Sequence, residues 1–310
     1  MYRAKDFGKV AVLAGGPSNE RAISIKSGRA VYDALKASGC NVEWVDLDGY
    51  GFRRILRRIS PDIAFLALHG RFGEDGTVQR ILEEISIPYT GSGVVASHSA
   101  LDKIASKKIF EKNGIPTPPY KVFNKQSIKS VKGLLFPLVV KPQNEGSSIG
   151  LSVARGEKEF TAAAKEAFKY SKNIIIEKFI KGREITVGIL GNKALPVVEI
   201  VPHRDFYDFY AKYKDKNTEY VVPAPLAKAV YRRAQALGLA SHNALLCKDF
   251  SRVDMILGDD GNIFVLEVNT IPGLTARSLL PKAAGAVGIT FNDLCLKFLN
   301  LARKNKGRKY

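Results

Sequence analysis

Apolar residues run unbroken over 10–14 and then recur at helical spacing through Ile23, Ala30, Val31 and Leu35, up to Gly39. The first pattern predicts a buried strand and the second an amphipathic helix. A strand over 41–47, a helix over 53–59 and a strand over 62–68 follow. This β-α-β-α-β order predicts a parallel sheet with right-handed crossovers, hence an α/β domain. Ligands of such sheets bind beyond the carboxyl ends of the strands. Two polar features fall there: residues 15–20, which end in Glu20, and His69-Gly70. Each also has a plain structural reading, Glu20 as an acid complementing a helix N-terminus and His69 as a packed loop histidine. A helix over 73–85 and a turn-rich stretch at 88–93 close this domain near residue 96.

A basic helix is predicted over 100–113, stopped by Gly114 and Pro116 and carrying Lys103. The strand 136–141 ends in Lys141, residues 142–150 form a Gly/Ser-rich loop, and a strand at 151–153 follows. Strand, loop and strand make a flap whose small residues let backbone N–H groups approach phosphate oxygens. No GxxxxGK[ST] pattern occurs, and Gly15-Gly16 is not part of a GxGxxG. A P-loop and a dinucleotide fingerprint are therefore both unsupported. A helix over 157–170 and a strand over 173–180 lead into a polar hinge, and strands 184–190 and 194–201 pair around Gly191-Asn192. Residues 203–223 are aromatic and charged without periodicity, which predicts a long loop of the kind that serves as a lid. Helices over 278–286 and 291–304 end the chain.

Between these lies the stretch 251–270, where Asp260-Gly261 predicts a two-residue hairpin turn. That turn places Asp254 opposite Glu267 and Arg252 opposite Asn269. Alternation then assigns Val253, Met255, Leu257, Phe264, Leu266 and Val268 to the core face, and Arg252, Asp254, Glu267 and Asn269 to the other. Directly opposed carboxylates repel unless a cation lies between them. Two carboxylates and an amide oxygen are hard ligands suited to Mg²⁺. A hairpin with an ordinary solvated polar face fits the same pattern. The strand's stop at Pro272-Gly273, where a ligand could sit, favours a site.

Composition narrows the class. The 310 residues, 45% hydrophobic and 25% charged, are those of a globular protein of two or three domains. No apolar run of membrane-spanning length occurs, and the first residues carry no signal-peptide core. Cys40, Cys247 and Cys295 are scattered, which fits a reducing cytoplasm better than a disulfide framework. The net charge of +18 raises the question of nucleic acid. However, the basic residues are spread along the chain without a recognisable module. The clusters at Arg53, Arg54, Arg57 and Arg58 and at 303–309 read as solvated surface.

Taken in line, the flap, hinge and acidic hairpin resemble an ATP-grasp enzyme, and the chain is closely similar to the bacterial D-alanine–D-alanine ligase family. The likeness extends over essentially the whole chain. It rests on Gly15-Gly16-Pro17-Ser18-Asn19-Glu20-Arg21, His69-Gly70, Glu74-Asp75-Gly76, Leu101-Asp102-Lys103, Val140-Lys141-Pro142, Glu145-Gly146-Ser147-Ser148-Ile149-Gly150, Ile176-Glu177-Lys178, Ala211-Lys212-Tyr213, Arg252-Val253-Asp254 and Glu267-Val268-Asn269-Thr270. The resemblance implies an N-terminal parallel-sheet domain (1–96) followed by a two-domain ATP-grasp fold (97–182 and 183–310), α+β in character. It implies ATP bound by Lys103, Lys141, Glu177, Lys178, Ile180, Glu184 and Lys212, under a loop holding Glu145, Gly146, Ser147 and Ser148. Two Mg²⁺ ions, replaceable by Mn²⁺, would be held by Asp254, Glu267 and Asn269. Glu20 and His69 would receive the first D-alanine, Arg252 and the Gly273 N–H would form an oxyanion site, and Ser278 and Leu279 would receive the second D-alanine. Glu20, Ser147 and Tyr213 would close the lid as a hydrogen-bonded triad. A cytoplasmic homodimer acting in peptidoglycan precursor synthesis is implied, with no nucleic-acid or membrane partner. Phe179 stands where the family often has tryptophan, and Ile271 and Arg277 depart from its usual residues. A sister ligase using D-lactate or D-serine as second substrate is the neighbouring reading. A nucleic-acid-binding protein and a catalytically silent nucleotide-binding subunit are the readings from other classes.

Overall fold

The computed structural model describes residues 3–47, 51–128, 135–203, 217–275 and 277–304. It opens with β1 (Lys9–Gly15), α1 (Arg21–Ala37), β2 (Asn41–Leu47), α2 (Phe52–Ile59) and β3 (Ile63–Leu66). These strands form a parallel sheet in the order β2-β1-β3, as the alternating pattern predicts. β1 is an unbroken apolar run because both its faces are covered. Val10 and Val12 pack with Val31 and Leu35 of α1, whereas Ala11 and Leu13 pack with Leu56 of α2. α3 (Thr77–Glu84) starts four residues later than the pattern predicts. The carboxylate of Asp75 accepts from the N–H groups of Phe72 and Thr77 at 2.9 Å, and this holds the preceding stretch in a turn.

The helix expected over 100–113 is two helices, α4 (Val94–Leu101) and α5 (Lys103–Lys112). Asp102 separates them. Its backbone is extended, and its carboxylate caps α5 by accepting from the N–H groups of Ile104 and Ala105. Next come β4 (Tyr120–Asn124), β5 (Leu138–Pro142), β6 (Ser152–Ala154), α6 (Glu157–Ala167) and β7 (Asn173–Lys178). Their antiparallel sheet runs β4-β7-β5-β6, and Phe160, Ala163 and Ala167 of α6 cover one face.

A second antiparallel sheet runs β10-β9-β8-β11-β12, from β8 (Gly182–Leu190), β9 (Lys193–Val201), β10 (Glu219–Val221), β11 (Phe250–Gly258) and β12 (Ile263–Asn269). β10 corrects the expected loop over 203–223, because residues 219–221 pair with β9. The core of that loop, including Lys212 and Tyr213, lies outside the described residues. α7 (Lys228–Ala244) fills a stretch where no element was predicted. α8 (Leu279–Gly285) and α9 (Phe291–Lys304) follow, and α9 returns to the first sheet. Its Phe298 stacks on Phe250 of β11 at 3.8 Å between ring centroids and lies 6.1 Å from Phe65 of β3.

The acidic hairpin carries two compensating departures from the expected register. Its turn is not the two-residue type: β11 ends at Gly258, the Gly261 N–H donates to the Gly258 carbonyl, and Gly261 has φ 78°. Met255 therefore faces Val265 and Leu257 faces Ile263. A bulge at Leu266 then restores the expected pairs, Asp254 with Glu267 and Arg252 with Asn269. Shifting a strand by one residue exchanges its faces. Ile263 and Val265 are accordingly the buried residues, not Phe264 and Leu266 as alternation alone predicts.

Candidate active site

The polar face of β11 and β12 is organised by Asp254. Its carboxylate accepts from Arg252 Nε at 2.8 Å, Arg252 Nη2 at 2.7 Å, Asn269 Nδ2 at 3.0 Å and Thr186 Oγ1 at 2.6 Å. Four donors hold one anion, so its orientation is fixed before any ligand arrives. Glu267 lies beside it across the ladder, 3.7 Å from Lys103 Nζ at the start of α5. Among the described residues no group of three or more His, Cys, Asp or Glu side chains forms a metal cluster. The candidate set is two carboxylates and one amide, all hard oxygen donors on one face, and that chemistry fits Mg²⁺ or Mn²⁺.

This face forms one wall of a pocket that also takes in Lys103, Lys141, Glu145, Ser148, Glu184 and Leu266. The bulge explains why Leu266 and Glu267, though consecutive, both reach it. At the rear, Glu177 of β7 is 2% exposed, and its Oε1 lies 2.7 Å from Lys141 Nζ and 2.8 Å from Lys107 Nζ. Burial opposes ionisation of Glu177, but the two ammonium groups outweigh it and hold the carboxyl below its ordinary range. Lys178 is exposed, and Ile180 and Glu184 are half-buried.

The flap lies over the pocket in a costly conformation. Ser147 and Ser148 both have left-handed backbones, with φ 50° and 59°. Such strain in residues with side chains persists where surrounding contacts over-determine it. Here the Ser147 hydroxyl donates to Glu20 Oε1. Glu20 stands at the N-cap of α1, but its side chain makes no cap hydrogen bond and turns into a buried niche against the flap. A Cβ on Gly70 or Gly146 would come within 2.5 Å or 2.8 Å of its Oε2 and push the carboxylate aside, and Gly70, with φ 68°, also has a left-handed backbone. Arg71 spans the same gap, with Nη2 3.2 Å from Glu145 Oε1 and 3.2 Å from the Tyr170 carbonyl.

His69 is buried with both ring nitrogens engaged. A carbonyl only accepts, so Nδ1–H donates to the Ile271 carbonyl at 3.1 Å and Nε2 accepts from the Ser27 hydroxyl at 3.0 Å. Burial lowers its pKa to about 4, with the Arg252 charge acting in the same direction. Glu74 accepts from the N–H groups of Gly70 and Ile271. Burial first, and then the Glu20 carboxylate, raises its pKa.

Family models for the C-terminal and N-terminal parts of D-Ala–D-Ala ligases match residues 109–300 and 51–92. The chain belongs to the D-alanine–D-alanine ligase family. A D-alanine–D-alanine ligase of Geotalea uraniireducens (strain Rf4) is 48% identical over 296 residues, 95% of each chain. The Bacillus anthracis D-alanine–D-alanine ligase complexed with ATP superimposes with a TM-score of 0.84 at 34% identity, covering 96% of this chain and 98% of that one. A D-Ala:D-Ser ligase from Enterococcus faecalis gives 0.81 at 28% identity over 95% of this chain and 99% of that one. The fold is thus the ATP-grasp arrangement that the ordered motifs imply.

In this ligase-family chain the remaining candidates gather beyond the end of β12. A Cβ on Gly273 would lie 2.9 Å from Ser278 Oγ, and that hydroxyl accepts from the Thr275 N–H at 2.9 Å. Leu279 is buried behind it. Residues not foreseen from the sequence are Lys107, Thr186 and Arg71, and Glu74 stands there only as part of a motif, without a role. Lys107 follows Lys103 at helical spacing and so shares its face. Thr186 offers no signal of its own, since its partner comes from a strand 68 positions later.

Proposed function

We propose that this chain is an ATP-dependent ligase joining two D-alanine molecules through a D-alanyl phosphate, in the service of peptidoglycan precursor synthesis. What carries the reading is the convergence of Lys103, Lys141, Glu145, Glu184 and Glu267 on one pocket, beneath a strained flap tied to Glu20, in a family of such ligases. Glu20 takes the ammonium of the first D-alanine, and the His69 loop borders its site. A carboxylate oxygen of that substrate attacks the γ-phosphorus of ATP. The bond to the β-phosphate bridging oxygen breaks, and ADP leaves with its electron pair. Lys103 and Lys141 offset the charge that spreads over the phosphoryl oxygens. The amine of the second D-alanine, seated by Ser278 and Leu279, attacks the acyl carbon. Arg252 and the Gly273 N–H stabilise the oxyanion, phosphate departs and the amine gives up a proton. Acyl phosphates hydrolyse, so the flap and its Ser147–Glu20 contact serve to exclude water.

Asp254, Glu267 and Asn269 would hold two Mg²⁺ ions, which when bound supply charge neutralisation at the phosphates. Glu145, Gly146, Ser147 and Ser148 cover the triphosphate, and Glu177, Lys178, Ile180 and Glu184 surround the nucleoside. We assign three domains, 1–96, 97–182 and 183–310, each with its own sheet. α4 crosses the first boundary, and β8 begins at the second. A cytoplasmic homodimer belongs to the same reading, and light scattering tests the dimer.

The reading is tested by phosphate release with ATP, Mg²⁺ and a panel of D-amino and D-hydroxy acids at neutral pH. D-Alanine alone should support turnover, and D-alanyl-D-alanine should form. D-Lactate or D-serine outcompeting D-alanine as second substrate would replace it with the sister reading. The 48% identity to a D-alanine–D-alanine ligase, against 28% to a D-Ala:D-Ser ligase, favours D-alanine.

A further inference from the structure

The charge around Glu177 does not balance. Two ammonium groups meet one carboxylate oxygen in a region nearly closed to water, leaving one positive charge without a buried counter-ion among the described residues. The two lysines are placed differently. Lys107 of α5 is wholly buried, and its Nζ also donates to Thr117 Oγ1 at 2.6 Å and sits 5.2 Å from the Tyr120 ring centroid. Lys141 of β5 lines the pocket, and among the described residues Glu177 is its ion-pair partner. One turn along α5, Glu111 also attracts Lys107, but it is exposed and accepts from the Tyr120 hydroxyl.

We propose that Lys107 is a positioning residue of the nucleotide site: as the standing counter-ion of Glu177, it leaves Lys141 available to the phosphates. This rests on the reading that ATP binds in this pocket. With Lys107 present, Lys141 can turn its charge to an incoming polyphosphate while Glu177 stays neutralised. Without it, Lys141 becomes the one cation against a buried carboxylate, and phosphate binding must compete with that pair. Separating buried charges is costly. The pKa of Lys107, lowered to about 8 by burial with Glu177 and Lys141 acting in opposite directions, is consistent with an over-supplied carboxylate.

Calorimetric titration of the full chain with ATP, ADP and adenosine, in Mg²⁺ and without D-alanine, separates the possibilities. Lys107→Met should weaken ATP and ADP by about tenfold and leave adenosine within about twofold, while Lys107→Arg stays near wild type. Equal weakening of all three ligands, as structural damage would give, or no weakening, overturns the proposal but not the nucleotide reading. Failure of the wild-type chain to bind ATP overturns both. Should Lys107→Met not fold, Glu177→Gln is decisive, because it also frees Lys141. The preference for ATP over adenosine should then rise, and a fall or no change sinks the proposal.

Discussion

At the scale of single residues, the hairpin face divides into a fixed anion and a proposed ligand position. Asp254 is held by Arg252, Thr186 and Asn269, so changing it disturbs three neighbours as well as any metal. Glu267 is the cleaner probe. It stands at a half-buried cross-strand position, and Gln preserves its shape and strand pairing while removing the charge. Glu267→Gln should lower ATP-dependent phosphate release by a factor of about 100 or more, the scale on which removing an oriented electrostatic group acts. Its melting temperature should stay within about 2 °C of wild type. Near-normal turnover would remove the metal-bridging role. Glu20 gives a second test at this scale. Glu20→Gln keeps a partner for the Ser147 hydroxyl but loses the charge-assisted contact to the substrate ammonium that its proposed role requires. The KM for D-alanine should rise by roughly 10- to 100-fold, from a charged hydrogen bond worth about 1.5–3 kcal/mol. The KM for ATP should move much less.

At the scale of elements, α5 shows how a cap serves a site. Asp102 satisfies two of the open N–H groups at the helix start and accepts from Gln143 Nε2 at 2.7 Å, which ties α5 to the end of β5. Lys103 and Lys107 ride on that helix. Asp102→Ala should cost about 1 kcal/mol of stability for the cap and should raise the KM for ATP, because both lysines lose their register with Lys141. Urea unfolding and initial-rate kinetics check the two parts separately. An unbroken apolar run locates β1 from the sequence alone, and recurrent apolar residues locate β2 and α1, although Ser24, Ser27 and Gly28 take half of the buried positions of α1. α7 is harder to read because its fully buried positions are Ala234, Gly238, Ser241 and His242, small or polar residues, while Val230, Tyr231 and Leu237 pack on the core only partly buried. Gly238 lies close against the sheet there, since a Cβ would sit 3.0 Å from Val187 Cβ and Cγ1. Gly238→Ala gains about 1 kcal/mol of helix propensity but overpacks the sheet by about 1–3 kcal/mol, so a lower melting temperature is expected. The hairpin's chemistry was legible for a subtler reason: a longer turn and a bulge at Leu266 offset one another, so the polar pairs survive while the apolar ones exchange faces. The left-handed serines of the flap leave no such trace, because the contact that holds Ser147 comes from Glu20, far away in the sequence and just ahead of α1.

At the scale of the whole molecule, long-range contacts draw the three sheets together around the pocket. His69 beyond β3 bonds to Ile271 beyond β12, Ser147 of the flap bonds to Glu20 before α1, and the Gly91 N–H donates to Asp249 ahead of β11. Some of this closure depends on imidazoles buried in the neutral form. Burial lowers the pKa of both His69 and His242 to about 4. The unfolded chain binds a proton at each ring below pH 6.5, while the folded chain resists until about pH 4. Folding stability contributed by these rings is therefore present above pH 6.5 and falls as pH drops towards 4, by about 3 kcal/mol per ring across the window. Glu74 acts in the opposite sense: its raised pKa keeps a proton in the folded state, so its contribution grows as pH falls towards 4.5. His242 separates the two, since its ring lies 2.7 Å from Ser251 Oγ and its shift has burial as its cause. Between pH 7 and pH 5, His242→Gln should lose about 2 kcal/mol less stability in urea unfolding than the wild-type chain does. Parallel losses in the two proteins would mean that His242 carries its proton in the folded state.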